Sequence, residues 1–421
     1  MPIIPPSPLG EILPRRAAAM VREALLDTRI VLINGARQSG KSTLAAQMGR
    51  EHDASWHTLD RADTLQAALN DPTEFVRSDQ RMVIDEVQRA PGLFLAMKEL
   101  VDSQPVPGRF LLTGSARIMG LRGLPDTLPG RIETVELWPL SQGEIDGKPD
   151  GFIDAAFELG PELKHDSADV RRDYCDRLVR GGMPEAVGRA ERRRSRFHQS
   201  YLADLVNRDV MQLSTVEKGR ELRSLIRLLA ARSGQILVPA ALGRDLGLTQ
   251  HTVNHYLSLL EEVFLIKRLP AWSRNLSTRA VGASKVAFVD SGLACSLLNQ
   301  QSSSLAKFDS PLGPLLEAFV TMEVARQATW STQPVELFHY RTRDQVEVDL
   351  VIENLDGRVI AIEVKATSSV RGDDFKGLRH LQSRLGDDLV AGYLLHLGQA
   401  TLPFGPKLRA LPVSALWETG I

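Results

Sequence analysis

Cysteine is almost missing from this chain. Cys175 and Cys295 are the only two among 421 residues. They lie far apart with no Cys-x-x-Cys pair, which excludes a disulfide framework, argues against a structural zinc site and fits a reducing cytoplasm. None of the 9 histidines, His339 included, completes a ligand set with a cysteine pair, so zinc chemistry is not expected. Long apolar runs are lacking too. No stretch approaches the roughly 18 residues of a membrane span, and the Pro-rich opening MPIIPPSPLG has no signal-peptide core. A cytoplasmic chain with a short extended leader, residues 1–16, and no membrane partner is the expectation. Excess charge is absent as well: 51 basic and 52 acidic residues leave a net charge of -1, so any nucleic-acid surface has to be a local patch.

What is present is the composition of a soluble globular protein, 43% hydrophobic and 24% charged, on a chain long enough for about two to four domains. No internal repeat or low-complexity tract is visible. The most informative stretch follows RIVLIN, a buried-strand pattern from Arg29 to Asn34. It runs into Gly35-Ala36-Arg37-Gln38-Ser39-Gly40-Lys41-Ser42, a complete G-x-x-x-x-G-K-S between strand and helix. Backbone N–H groups of such a loop, extended here through Thr43, cradle phosphates at a helix N-terminus. Lys41 then neutralises the β- and γ-phosphates and the Ser42 hydroxyl ligates Mg2+, which makes ATP and Mg2+ the expected cofactors.

About forty residues on, the apolar run MVIDE ends in Asp85 and Glu86, two carboxylates at the carboxyl edge of a parallel sheet. Asp85 is the candidate Mg2+ ligand, and Glu86 the group that orients or deprotonates the attacking water. The next strand, RFLLTGSAR, ends in Thr113 and Ser115, which either sense the γ-phosphate or cap a turn. Arg131 in LPGRI and Arg117 in SAR are candidate arginine fingers, each equally consistent with a surface role.

The order GARQSGKST, VIDEVQRAPGLF, FLLTGSA and LPGRIETVELWPLSQGE resembles a prokaryotic family of AAA+-like ATPases. In that family an N-terminal ATPase is joined to a C-terminal domain of unclear role. The resemblance covers most of the chain, including LVRGGMPEAV and FHQSYLADLVNRDV, and implies an AAA+-type sheet and ring-type homo-oligomers.

Val238 to Leu269 places Leu242, Leu246, Val253, Leu257 and Leu260 at helical spacing around a turn at Gly247. A helix-turn-helix followed by a strand, hence a winged helix, is expected. On DNA its second helix would offer Gln250, His251, Thr252 and His255 to a groove, with Arg244 and Lys267 on phosphates. The same motif also serves as a packing module. Arg189, Arg192, Arg193, Arg194 and Arg196 form a denser basic run, either a phosphate-binding patch or a solvated helix face.

Near the C-terminus, VEVDLVIENLDGRVIAIEVKA sets Asp349 on one strand, a turn at Asp356-Gly357, and Glu363-x-Lys365 on the next. Residues two apart share a strand face, so Glu363 and Lys365 project together beside Asp349. Two carboxylates then become available for Mg2+ and one ammonium for a phosphodiester. The pattern resembles the PD-(D/E)xK nuclease core, with Glu317 in the preceding helix matching an acidic residue often found there and the Pro before Asp349 missing. Tyr340, Arg341 and Arg343 are candidates to line a phosphate path. Such a fold either cuts or is kept as a binding module.

The expectation is therefore an α/β chain in five parts: leader 1–16, P-loop AAA+-like parallel-sheet domain 17–146, helical lid or connector 147–215, winged helix 216–275, and restriction-endonuclease-like α/β domain 276–421. Function is expected to be Mg2+-dependent ATP hydrolysis whose nucleotide state is coupled to a DNA-engaging C-terminal half that either cuts or only binds. The alternatives are a nucleotide-controlled DNA-binding regulator that does not cut and a protein-remodelling ATPase.

Overall fold

The RIVLIN run is a strand in the computed structural model, which describes residues 11–115, 128–210, 219–275, 277, 279 and 282–420. Five strands, β1 (Ile30–Asn34), β2 (Ser55–Thr58), β3 (Met82–Asp85), β4 (Phe110–Gly114) and β5 (Ile132–Glu136), form one sheet in the order β2-β3-β4-β1-β5. Every pairing in it is parallel. Parallel strands need crossover connections, and their helices cover both faces. Alternation along the strands distributes the side chains accordingly. Ile30, Leu32, Met82, Ile84, Phe110 and Leu112 face a core with Phe94, Met97 and Val101 of the helix Leu93–Ser103. Val31, Ile33, Val83 and Leu111 face the opposite core, with Val21 and Leu25 of the helix Ala17–Asp27 and Leu44 and Met48 of Lys41–Glu51.

This sheet and its helices, up to Pro139 and with Glu262–Phe264, form one compact unit, and the rest of the chain forms a second. The second unit opens with the helix Gln142–Asp146 and continues through the helices Phe152–Leu159, Arg171–Arg180 and Glu191–Asp204. A helix-turn-helix follows. Pro239–Leu246 ends at Gly247, whose φ of 66° is the left-handed stop that glycine favours. Gln250–Glu262 begins after Thr249, whose hydroxyl accepts the Thr252 N–H at 3.1 Å. Strands β6 (Ile266–Leu269) and β7 (Lys285–Phe288) then pair antiparallel.

The last sheet has six strands, β8 (Val335–Arg341), β9 (Glu347–Asn354), β10 (Val359–Lys365), β11 (Leu389–His396), β12 (Leu402–Pro403) and β13 (Leu408–Pro412), in the order β12-β13-β11-β10-β9-β8. The β8-β9-β10 meander is antiparallel, and β10, β11 and β13 run parallel. Gly357 turns the β9-β10 hairpin with φ 76°. One face packs on Leu378 and Leu381 of the helix Lys376–Leu385, and the helix Leu312–Gln327, buried along most of its length, packs on β10 and β7.

The turn-rich segment DGKPDG, Asp146 to Gly151, is tied into the second unit. Asp150 within it is fully buried and accepts hydrogen bonds from the Ser141 hydroxyl and from Gln327 Nε2, the latter at 3.0 Å. The same helix turns Glu323 back to accept the Gln142 N–H at 2.9 Å. No helix among the described residues is long and apolar enough to cross a membrane.

Candidate active site

In the first sheet all strands run the same way, so the residues that end β1, β3 and β4 collect at one edge. The phosphate loop leaves β1 there. Gly40, at φ 97°, starts the helix Lys41–Glu51. A Cβ on Gly35 would lie 2.1 Å from the Leu137 carbonyl oxygen, so only glycine lets the loop leave the sheet at that point. The Gly35 N–H is held by Asn34 Oδ1 at 3.0 Å, and Arg15 reaches the Ser39 and Trp138 carbonyls at 2.7 and 2.6 Å. Lys41 is buried, with Nζ 3.0 and 2.8 Å from the Gly35 and Ala36 carbonyls. Among the described residues the buried Ser39 hydroxyl finds no hydrogen-bond partner. A loop of backbone N–H groups with an ammonium across it and an unsatisfied hydroxyl within it fits a polyphosphate.

Asp85 is the hub of this edge. Its Oδ1 accepts from Ser42 Oγ at 2.6 Å and Thr113 Oγ1 at 2.7 Å, and its Oδ2 from Thr58 Oγ1 at 3.2 Å. A carboxylate and a hydroxyl in direct contact are a donor set suited to Mg2+, which takes few protein ligands besides phosphate oxygens. Glu86, next along, adopts φ 59°, a left-handed conformation costing a non-glycine residue about 1 kcal/mol or more. It is held there by Thr113 Oγ1, which accepts the Glu86 N–H at 3.0 Å. Ser115 Oγ donates to Glu86 Oε2 at 3.3 Å, and Gln88 Nε2 donates both to that oxygen and, at 3.0 Å, to Ser115 Oγ. Burial pushes the Glu86 carboxyl above its ordinary pKa, with the Asp85 charge adding to the rise and Lys41 opposing it. A carboxylate with raised proton affinity is what abstracting a proton from water requires.

Lys41, Ser42, Asp85, Glu86, Thr113 and Ser115 thus come together at one edge. Arg131 does not join them. It precedes β5, and its carbonyl accepts the N–H of Ile30 at the opening of β1, so it stands at the opposite edge, a strand of about 16 Å away. There it makes a bidentate pair with Asp102 at 2.5 and 3.0 Å. A finger role toward its own chain's phosphate loop is therefore excluded. Arg117 lies outside the described residues. Thr58, Gln88 and Arg15 serve this edge without any motif to announce them.

In the helix-turn-helix, Arg244, Gln250, His251, Asn254 and His255 are exposed while Val253, Leu257 and Leu260 are buried. The basic run divides. Arg192, Arg193 and Arg196 are exposed, whereas Arg194 donates to the Ala186 and Arg189 carbonyls and Arg189 lies over the Phe197 ring, paired with Glu185.

The hairpin brings Asp349 and Glu363 together as the strand pattern predicts, with an unforeseen occupant. Lys285 Nζ, 6% exposed, lies 2.9 Å from Asp349 Oδ1, 2.8 Å from Glu347 Oε1 and 3.9 Å from Glu317 Oε2. Asp349 Oδ2 accepts the Val364 N–H at 2.9 Å, and Lys365 Nζ binds Glu363 Oε1 at 2.7 Å. Burial alone would lower the Lys285 pKa, but Asp349, Glu317 and Glu347 together raise it, so it stays charged. Tyr340 bonds His380 at 3.1 Å and Arg341 pairs with Glu347 at 3.8 Å. Among the described residues no group of three or more His, Cys, Asp or Glu is arranged to hold a metal. With an ammonium already among them, Asp349 and Glu363 do not fit the Mg2+ site that the sequence pattern predicts.

Three stretches of the chain match known domain families. Residues 27–146 match an AAA domain, residues 171–304 a domain of unknown function (DUF8612), and residues 312–416 another (DUF4143). Uncharacterized proteins of Mycobacterium bovis and Mycobacterium tuberculosis are each 30% identical over 413 residues, covering 96% of this chain and 85% of their own. One from Haemophilus influenzae is 22% identical over 386 residues, covering 86% of this chain and 89% of its own. Among solved structures, the Thermotoga maritima RuvB Holliday junction branch migration motor aligns with 60% of this chain and 85% of its own, at 20% identity and a TM-score of 0.29. A superposition that partial bears on neither fold nor activity.

Proposed function

The chain belongs to the family of the mycobacterial proteins that it matches over most of both lengths, and from that premise we propose that its AAA domain is a Mg2+-dependent ATP hydrolase whose nucleotide state governs DNA engagement by the C-terminal half. The observation that carries the hydrolase assignment is the 2.6 Å contact between Ser42 of the phosphate loop and Asp85 of β3, with Glu86 braced beside it. In this mechanism loop N–H groups and Lys41 would hold the β- and γ-phosphates, and Ser42 and Asp85 would hold Mg2+, which would neutralise phosphate charge. Glu86 orients a water and takes its proton. Thr113 fixes both acids from one hydroxyl, and Ser115 and Gln88 keep the Glu86 carboxylate aimed.

DNA engagement is supported by the exposed polar face of the second helix of the helix-turn-helix and by Arg192, Arg193 and Arg196, a local patch on a chain of nearly zero net charge. Arg131, unable to serve its own nucleotide, is suited to a neighbouring copy, which is what a ring-type homo-oligomer would supply. Asp349 is engaged by Lys285 and a backbone N–H, and Glu363 by Lys365, so the C-terminal half enters this function by binding and not by cutting.

The test is ATP turnover in Mg2+ with and without DNA, with Lys41→Ala as the control, beside DNA binding across a salt series. DNA-stimulated turnover lost in the variant, with binding that weakens steeply as salt rises, is the expected result. Turnover indifferent to DNA, together with no salt-sensitive binding, replaces this function with protein remodelling.

A further inference from the structure

The carboxylates around Lys285 form a charged cluster away from the nucleotide edge, and nothing in ATP hydrolysis uses them. Four acids, Glu317, Glu347, Asp349 and Glu363, come from one helix and two strands, and two lysines meet them. An ammonium carries three donors and no acceptor. Lys285 directs donors at Glu347 and Asp349 and sits within ion-pair range of Glu317, and those are carboxylates that a divalent cation would need. Mg2+ demands near-octahedral oxygens at about 2.0–2.1 Å. Among the described residues Glu363 Oε2, buried, finds no hydrogen-bond partner, but one oxygen does not make such a site.

The ammonium is not free to leave. The Lys285 backbone is fixed by pairing with Leu269 in β6 and by a bridge to Ile236, and its side chain is buried. The β6-β7 pair follows directly on the helix-turn-helix, so the link from β7 to β9 runs from that element to the six-stranded sheet. The Trp272 N–H bonded to the His339 carbonyl at 2.6 Å, and the His339 N–H to the Pro270 carbonyl at 2.9 Å, make a backbone link alongside it.

We propose that Lys285 is a built-in cation occupying the place of a divalent metal among Glu317, Asp349 and Glu363, so that this nuclease-like centre is metal-independent and clasps the β6-β7 pair to the six-stranded sheet. The same arrangement makes it a latent metal site. Without the ammonium, the carboxylates face one another uncompensated, and a divalent cation is the natural replacement.

The experiment counts Mn2+ bound per full-length chain, free of nucleotide, by the electron paramagnetic resonance signal of unbound Mn2+. Wild type and Asp349→Asn are expected to bind the same number of ions. Lys285→Met, which keeps the length and apolar stem of the side chain, is expected to gain one ion per chain, lost again in the Lys285→Met, Asp349→Asn double variant. A wild-type chain that loses an ion on Asp349→Asn overturns the proposal. So does a folded Lys285→Met chain that gains none. If Lys285→Met does not fold, the comparison of wild type with Asp349→Asn decides alone. None of these counts depends on ATP turnover or DNA binding, so the proposal stands or falls apart from the function proposed above.

Discussion

Replacing Thr113 by valine removes one hydroxyl and leaves the side-chain shape intact. That hydroxyl, fully buried, donates to Asp85 Oδ1 at 2.7 Å and accepts the Glu86 N–H at 3.0 Å. Hydrogen bonds to charged groups contribute about 1.5–3 kcal/mol, and a buried N–H left unsatisfied costs about 1–3 kcal/mol. Part of the loss falls on folding and part on the arrangement of the two acids, since Glu86 is held in its left-handed conformation by that bond. If about 2 kcal/mol falls on the catalytic arrangement, turnover drops about 30-fold. The assay is steady-state phosphate release with nucleotide affinity measured separately. A fall in kcat with near-normal ATP binding, substantially restored by Thr113→Ser, is expected. Turnover in Thr113→Val within about two-fold of wild type refutes the bridging role.

Four further outcomes are expected. Gly35→Ala sets a Cβ 2.1 Å from the Leu137 carbonyl and is expected to destabilise the nucleotide domain by about 3 kcal/mol or more in denaturant titration. Gly92→Ala, whose nearest neighbour would be 3.6 Å away, is expected to change it by less than about 0.5 kcal/mol. Burial and the nearby Glu323 charge raise the Asp150 carboxyl to about 8. A raised acid stabilises the fold fully below its unfolded pKa and loses that contribution as pH climbs through the folded value. Melting temperature is therefore expected to fall between about pH 4 and 8, with Asp150→Asn flattening that slope. Arg131→Ala is expected to leave nucleotide binding by a dilute chain unchanged and to reduce turnover only where copies assemble, read as lost concentration dependence of specific activity.

The nucleotide edge was legible because its parts are contiguous. The phosphate loop, the MVIDE strand and RFLLTGSAR each announce a strand by an apolar run and a functional residue by where the run stops. Parallel order then puts all the stops at one edge. Arg131 escaped that logic because LPGRI precedes its strand, which sends it to the far edge. Thr58 and Gln88 carry no motif, since a threonine ending a short strand and a glutamine in a turn are common in any sequence. Lys285 stands 64 residues from Asp349, at the start of KVAF, a short strand otherwise apolar. Only tertiary pairing shows its ammonium among the acids, which is why E-x-K beside an Asp suggested a metal. The Arg run divides in a way its density does not show: Arg189 and Arg194 turn back onto their own segment, while Arg192, Arg193 and Arg196 are exposed.

The central claim is that ATP is hydrolysed at the edge formed by Lys41, Ser42, Asp85 and Glu86. The most direct measurement is Mg2+-dependent phosphate release by wild type, Lys41→Ala and Glu86→Gln, with ATP binding followed in parallel. Turnover lost in both variants, with binding retained in Glu86→Gln, is the predicted result. Release persisting in Lys41→Ala, or unchanged in Glu86→Gln, contradicts the account.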